Sequence, residues 1–110
     1  MNCNVVATSL FEKEIKILNK KYPSLKNEYI ALLKELQENP KMGEPLGKDC
    51  YKIRLAIESK QKGKSGGARV ISFFYTIKET LFLLGIYDKS EKETLKDNEI
   101  KERLKKLPSR

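Results

Sequence analysis

Tyr51-Lys52-Ile53-Arg54-Leu55-Ala56-Ile57-Glu58 alternates large apolar residues with charged or small ones. Period-two patterning of this kind marks a strand with one face turned to a core. The strand is expected over Cys50 to Glu58. Lys52 and Arg54 then share the face opposite that core, with Ala56 leaving open space beside them.

Two further strands follow. Val70 to Ile77 is apolar on both faces and rich in β-branched and aromatic residues, and Leu81 to Tyr87 is almost wholly apolar. Lys78-Glu79 between them reads as a hairpin turn, so the three runs predict an antiparallel meander. Asp88 to Glu93 reads as a charged loop. A last helix is expected from about Asp97, with Ile100, Leu104 and Leu107 on one side and Lys105 and Lys106 at the end that suits the helix dipole.

On the N-terminal side, Lys41 to Asp49 carries Gly43, Pro45 and Gly47 and reads as a connecting loop. A helix from about Ser24 places Leu25, Tyr29, Leu32, Leu33 and Leu36 on one face and stops at Asn39-Pro40. Another begins at Ser9, where Ser9 and Glu12 fit a capping box, and carries Phe11, Ile15, Leu18 and Tyr22 at helical spacing. Its charges, Glu12 to Lys21, read as a solvated face. Asn4 to Ala7 is a short strand. The order predicts an α+β fold, with an N-terminal strand and helical hairpin packed on an antiparallel sheet, then the three-strand meander and a C-terminal helix. At 110 residues, a single domain over 1–110 is expected.

Charged residues make up 35% of the chain, which has a formal net charge of +8 and no histidine. The positive balance points to nucleic acid, an anionic surface or an acidic partner. Without histidine, the commonest acid–base group at neutral pH and the commonest metal ligand are both missing. Cys3 and Cys50 form no CxxC pattern and are expected as reduced thiols. No signal peptide or membrane-spanning run is apparent, so a cytoplasmic protein that makes no use of membranes is expected.

Between Lys52 and Arg69 stand six Lys or Arg and one acid, Glu58. The loop Lys60-Gln-Lys-Gly-Lys-Ser-Gly-Gly-Ala-Arg69 carries most of them, with three glycines that allow close backbone approach to an anion. It is not a Walker loop: the position of that motif's first glycine holds Glu58, and the segment leads into a strand. In a meander, Lys52 and Arg54 on the first strand, Arg69 opening the second, and Lys89 and Lys92 after the third converge near one part of the sheet. Such a cationic cleft binds phosphate and can stabilise the phosphorane formed when an RNA 2′-hydroxyl attacks its neighbouring phosphorus. The base must then be Lys, Tyr, Glu or Asp. Lys52, crowded by Arg54, is the first choice. Tyr51, Tyr75 and Tyr87 are able to stack on a base or carry a proton, although alternation puts Tyr51 on the apolar face. A plain solvated strand face that guards against edge pairing is the alternative reading of Lys52 and Arg54.

Cys50-Tyr-Lys-Ile-Arg54, then Gly63-Lys-Ser-Gly-Gly-Ala-Arg-Val-Ile71, then Tyr87-Asp-Lys-Ser-Glu-Lys92 resembles the RelE/ParE superfamily of toxins from type II toxin–antitoxin pairs, and most of all its HigB-type members. The resemblance spans nearly the whole chain. It implies a compact microbial-RNase fold and ribosome-dependent, metal-independent cleavage of mRNA with no cofactor. It also implies neutralisation by an antitoxin, often a helix-turn-helix protein. By this resemblance Lys52, Arg54 and Arg69 are catalytic; the loop lysines Lys60, Lys62 and Lys64 read as an arm that positions ribosomal RNA, and Lys89 and Lys92 as further RNA contacts. The family has Gly-Lys-Arg-x-Arg after the last strand and a tyrosine beyond it. Here Ser90 replaces the first arginine, and no tyrosine follows Tyr87. The ParE branch implies gyrase inhibition as an alternative, and an inactive RNA-binding member is another.

Overall fold

The computed structural model describes residues 3–60, 66–91 and 95–107. The elements are β1 (Asn4–Ala7), α1 (Ser9–Lys21), α2 (Leu25–Glu38), β2 (Glu44–Gly47), β3 (Cys50–Leu55), β4 (Ala68–Tyr75), β5 (Thr80–Asp88) and α3 (Asp97–Lys105). The strands form one five-stranded sheet in the order β1-β5-β4-β3-β2. The expected meander is present as β3–β4–β5. The sheet is nevertheless mixed, because β1 runs parallel to β5 while the other pairings are antiparallel. The segment read as a loop over Lys41 to Asp49 contains β2, which pairs Glu44 with Lys52 and Pro45 with Tyr51. Proline is tolerated there because β2 is the sheet's edge and needs hydrogen bonds on one side only.

Helix α1 is capped by Thr8, one residue before the expected Ser9. The Thr8 hydroxyl accepts from the Phe11 N–H (3.3 Å) and donates to the Leu83 carbonyl (2.8 Å), so one side chain caps the helix and ties it to β5. The apolar stripe of α1 buries Phe11, Ile15 and Leu18, and that of α2 buries Leu25, Leu32 and Leu36. Both stripes meet Ile53, Leu55, Val70, Phe74, Leu81, Leu83 and Ile86 of the sheet. The opposite face is not open, contrary to the sequence expectation. There Ile71, Phe73, Phe82 and Leu84 form a second core with Leu95 and Ile100, roofed by α3. Strands β4 and β5 are therefore buried on both faces, which is why their sequences show no alternation. Cys3 and Cys50 are buried free thiols in different cores.

β1 is short and pairs β5 only over Thr80 to Leu83, leaving the edge of β5 beyond that point without a neighbouring strand. Side chains take the vacant place. Glu14 of α1 accepts from the Ile86 N–H (3.2 Å), and Arg103 of α3 donates to the Leu84 carbonyl (2.9 Å). The two side chains also pair with each other through two hydrogen bonds of 2.7 and 2.9 Å. This joins the helical layers of the two faces around the sheet edge. Gly85 makes the passage possible, since a Cβ there would collide with the Arg103 guanidinium.

Candidate functional site

The cationic residues lie in register. Arg54 pairs with Arg69 across β3–β4, and Arg69 pairs with Tyr87 across β4–β5, so the three form a row on the α3 face. Lys52 lies two residues back on the same face of β3, as the alternation requires. Its ammonium is 3.3 Å from the Glu44 carboxylate, the cross-strand partner on β2. The crowding expected at Lys52 is thus offset by an acid. Glu44 was hidden in the sequence because Gly43, Pro45 and Gly47 give its strand the composition of a loop; the Glu-Pro-Leu run beside a well-marked strand is the one signal that an edge strand was there.

Arg54 and Arg69 differ sharply. Arg54 is exposed and makes no hydrogen bond or ion pair among the described residues. It borders a surface cavity of about 370 Å³ lined by Met42, Gly43, Glu44, Lys52 and Ile53. Arg69 is only 4% exposed, and its guanidinium donates to the Ala68 carbonyl (3.0 Å). That burial is one that no strand pattern could have indicated. Tyr87 is likewise buried.

Lys89 is half-buried at the end of β5, and its N–H donates to the Gly67 carbonyl (3.0 Å), which holds it close to the start of β4. The turn it opens is fixed by Asp88, a fully buried carboxylate that the sequence did not single out. Asp88 accepts from the Tyr22 hydroxyl (2.7 Å), the Ser90 N–H (3.0 Å) and the Ser90 hydroxyl (2.7 Å). Ser90, standing where the resembling family has arginine, thus serves the turn. Lys60 ends a short helical turn, Glu58–Lys60, whose start is fastened to α2. The Glu58 N–H donates to Glu28 (2.6 Å), the Ser59 N–H to the Ser24 hydroxyl (2.9 Å) and the Ser24 N–H to the Ser59 hydroxyl (3.0 Å). At the other end, Gly67 packs so closely on the Leu55 carbonyl that no side chain fits. The basic loop therefore leaves from a fixed stem. Lys62, Lys64 and Lys92 lie outside the described residues.

Among the described residues no group of three or more His, Cys, Asp or Glu gathers as a metal site, and no helix is long and apolar enough to cross a membrane. The sequence matches no protein-family model. The backbone, however, superposes on that of the E. coli toxin RelE, a mutant in the free state, with a TM-score of 0.62 at 18% identity, over 98% of this chain and 100% of that one. This is the RelE fold. A structure of the isolated E. coli RelE toxin agrees, with a TM-score of 0.57 at 20% identity over 94% of this chain and 96% of that one. The RelE likeness extends through β1 and α3, so the expected arrangement of strand, helical hairpin, meander and C-terminal helix holds for the whole described chain.

Proposed function

We propose that this protein is the toxin of a type II toxin–antitoxin pair, a HigB-type, cytoplasmic endoribonuclease that cleaves mRNA on the ribosome and is silenced by an antitoxin, such as a helix-turn-helix protein from the adjacent gene. The observation that carries the reading is the cross-strand Arg54–Arg69 pair with Arg54 exposed and unneutralised. An RNA phosphate can reach the exposed Arg54 guanidinium directly and accept its N–H donors. The RelE fold and the ordered motifs support the same conclusion.

The chemistry is attack of the 2′-hydroxyl oxygen on the adjacent phosphorus, with departure of the 5′-oxygen. It leaves a 2′,3′-cyclic phosphate and a 5′-hydroxyl. Arg54 binds the scissile phosphate and stabilises the phosphorane, and Arg69 joins it once its cover is displaced. Lys52 and Glu44, already in contact, serve the proton transfer from the 2′-hydroxyl, with Lys52 as base or electrostatic helper. Tyr87 is the nearest candidate on the row for protonating the leaving oxygen. Lys60, Lys62, Lys64, Lys89 and Lys92 hold RNA around this centre.

Induced expression followed by mapping of mRNA ends tests the proposal. New 5′-hydroxyl ends and growth arrest are expected from the wild type, and Arg54→Ala is expected to abolish both while remaining folded. Full toxicity in Arg54→Ala would sink the assignment. DNA breaks with intact mRNA would instead favour a ParE-like gyrase inhibitor. The burial of Arg69 favours one second reading, an RNA-binding member that does not cleave, which would arrest nothing and release no new ends.

A further inference from the structure

Helix α1 carries Glu12-Lys-Glu-Ile-Lys-Ile-Leu-Asn-Lys-Lys21, a run of four lysines and two acids. The fold sorts them. Glu14 is turned to the sheet edge and taken up by Arg103 and the Ile86 N–H. Lys21 is taken up by Glu91 at 2.9 Å. Lys13, Lys16 and Lys20 remain exposed and make no hydrogen bond or ion pair among the described residues. At about 100° per residue the three lie within roughly 60° of one another on the helix, and they span about 10 Å of its axis. That length faces roughly three phosphates, given about 3.4 Å of axis per charge on one strand of a duplex. Glu12, the exposed acid of this helix, borders this face one turn before Lys16, about 40° round from it and about 100° from Lys13.

The position of this face matters as much as its charge. The last turn of α1 abuts the turn after β5, through Lys21–Glu91 and Tyr22–Asp88. That turn carries Lys89, held to Gly67, two residues before Arg69. The Lys20 end of the lysine face thus lies near the turn that follows β5, while the arginine row lies on the other face of the sheet. We propose that Lys13, Lys16 and Lys20 form a second, sequence-independent RNA contact that grips the sugar–phosphate backbone away from the arginine row. The inference rests on the RNA reading above and adds to it a surface that acts in binding without taking part in cleavage. Ile17, 68% exposed beside these lysines, is a bystander to a backbone contact.

Binding of a fluorescent oligouridylate, followed by anisotropy through a salt series, tests the contact. The triple variant Lys13→Gln/Lys16→Gln/Lys20→Gln is expected to lower the slope of log K against log salt by about 2, at about 0.7 per lost contact on a single strand. Arg54→Ala is expected to lower it by about 0.7. Ile17→Ala is expected to bind as the wild type does, and circular dichroism of all variants should match. A triple variant with the wild-type slope, beside an Arg54→Ala protein that has lost part of it, would overturn the contact and leave the RNA reading standing. A wild type with no salt-dependent binding would overturn both. A loss in Ile17→Ala as large as that of the triple variant would assign the face to a protein partner and overturn the contact.

Discussion

Arg54 and Arg69 stand directly opposite one another on β3 and β4, like charges on neighbouring strands. Directly opposed like charges cost roughly 0.2–1 kcal/mol. Arg54→Ala should therefore melt no lower than the wild type, and up to a few degrees higher, while losing growth arrest. A variant that melts clearly lower would mean that Arg54 is a structural residue. Alternation along β3 was enough to place Lys52 and Arg54 together, and the meander was enough to bring Arg69 beside them. The burial of Arg69 was not legible, because it depends on what α3 and the neighbouring core cover. Glu44 was illegible for a different reason: an edge strand does not need the alternation that betrays a half-buried one. Cys50 yields a prediction of another kind. Burial pushes its thiol up to about 11. The unfolded chain, with an ordinary thiol, loses its proton at lower pH, so this contribution to stability is full below about pH 9 and is lost as pH rises towards 11. Cys50→Ala should flatten the alkaline limb of a plot of stability against pH; an unchanged limb would show that other groups govern it.

Among the elements, the strongly periodic ones were readable. The apolar stripes of α1 and α2, the stop at Asn39-Pro40 and the three strands of the meander all stand within a few residues of where the pattern puts them. The pairing of β1 with β5 was not readable, since parallel contact between distant segments leaves no local trace. Nor was the Glu14–Arg103 link, which depends on that pairing ending early. Gly85 is the point on which the link turns. Gly85→Ala should displace Arg103 and cost about 1–3 kcal/mol, the range for leaving buried charged or polar groups unpaired. Denaturant unfolding of Gly85→Ala and Arg103→Ala measures this, and the double variant should cost little more than either alone. Additive losses would show that Gly85 acts independently of Arg103.

On the scale of the whole molecule, two cores share one sheet, and several acids serve internal ties. Glu14, Glu28, Asp88 and Glu91 all bind groups of the same chain, while Lys13, Lys16, Lys20 and Arg54 face outward. A net charge of +8 read from composition is thus delivered to particular surfaces by the fold. The RelE likeness at 18–20% identity shows that the architecture tolerates very different sequences, so the distribution of charge, more than the backbone, distinguishes this chain. The link between Glu14 and Arg103 also has a colloidal side. A strand edge with unmet N–H and C=O groups is a template on which a second chain can add its own strand. By occupying the Ile86 N–H and the Leu84 carbonyl, the two side chains deny that template to other copies. Glu14→Ala/Arg103→Ala should therefore show concentration-dependent self-association by light scattering under conditions where the wild type stays monodisperse; equal scattering from both would mean that the exposed edge is harmless. A pair of side chains that looks like a structural tie is, on this account, what lets so cationic a chain crowd together without growing into a continuous sheet.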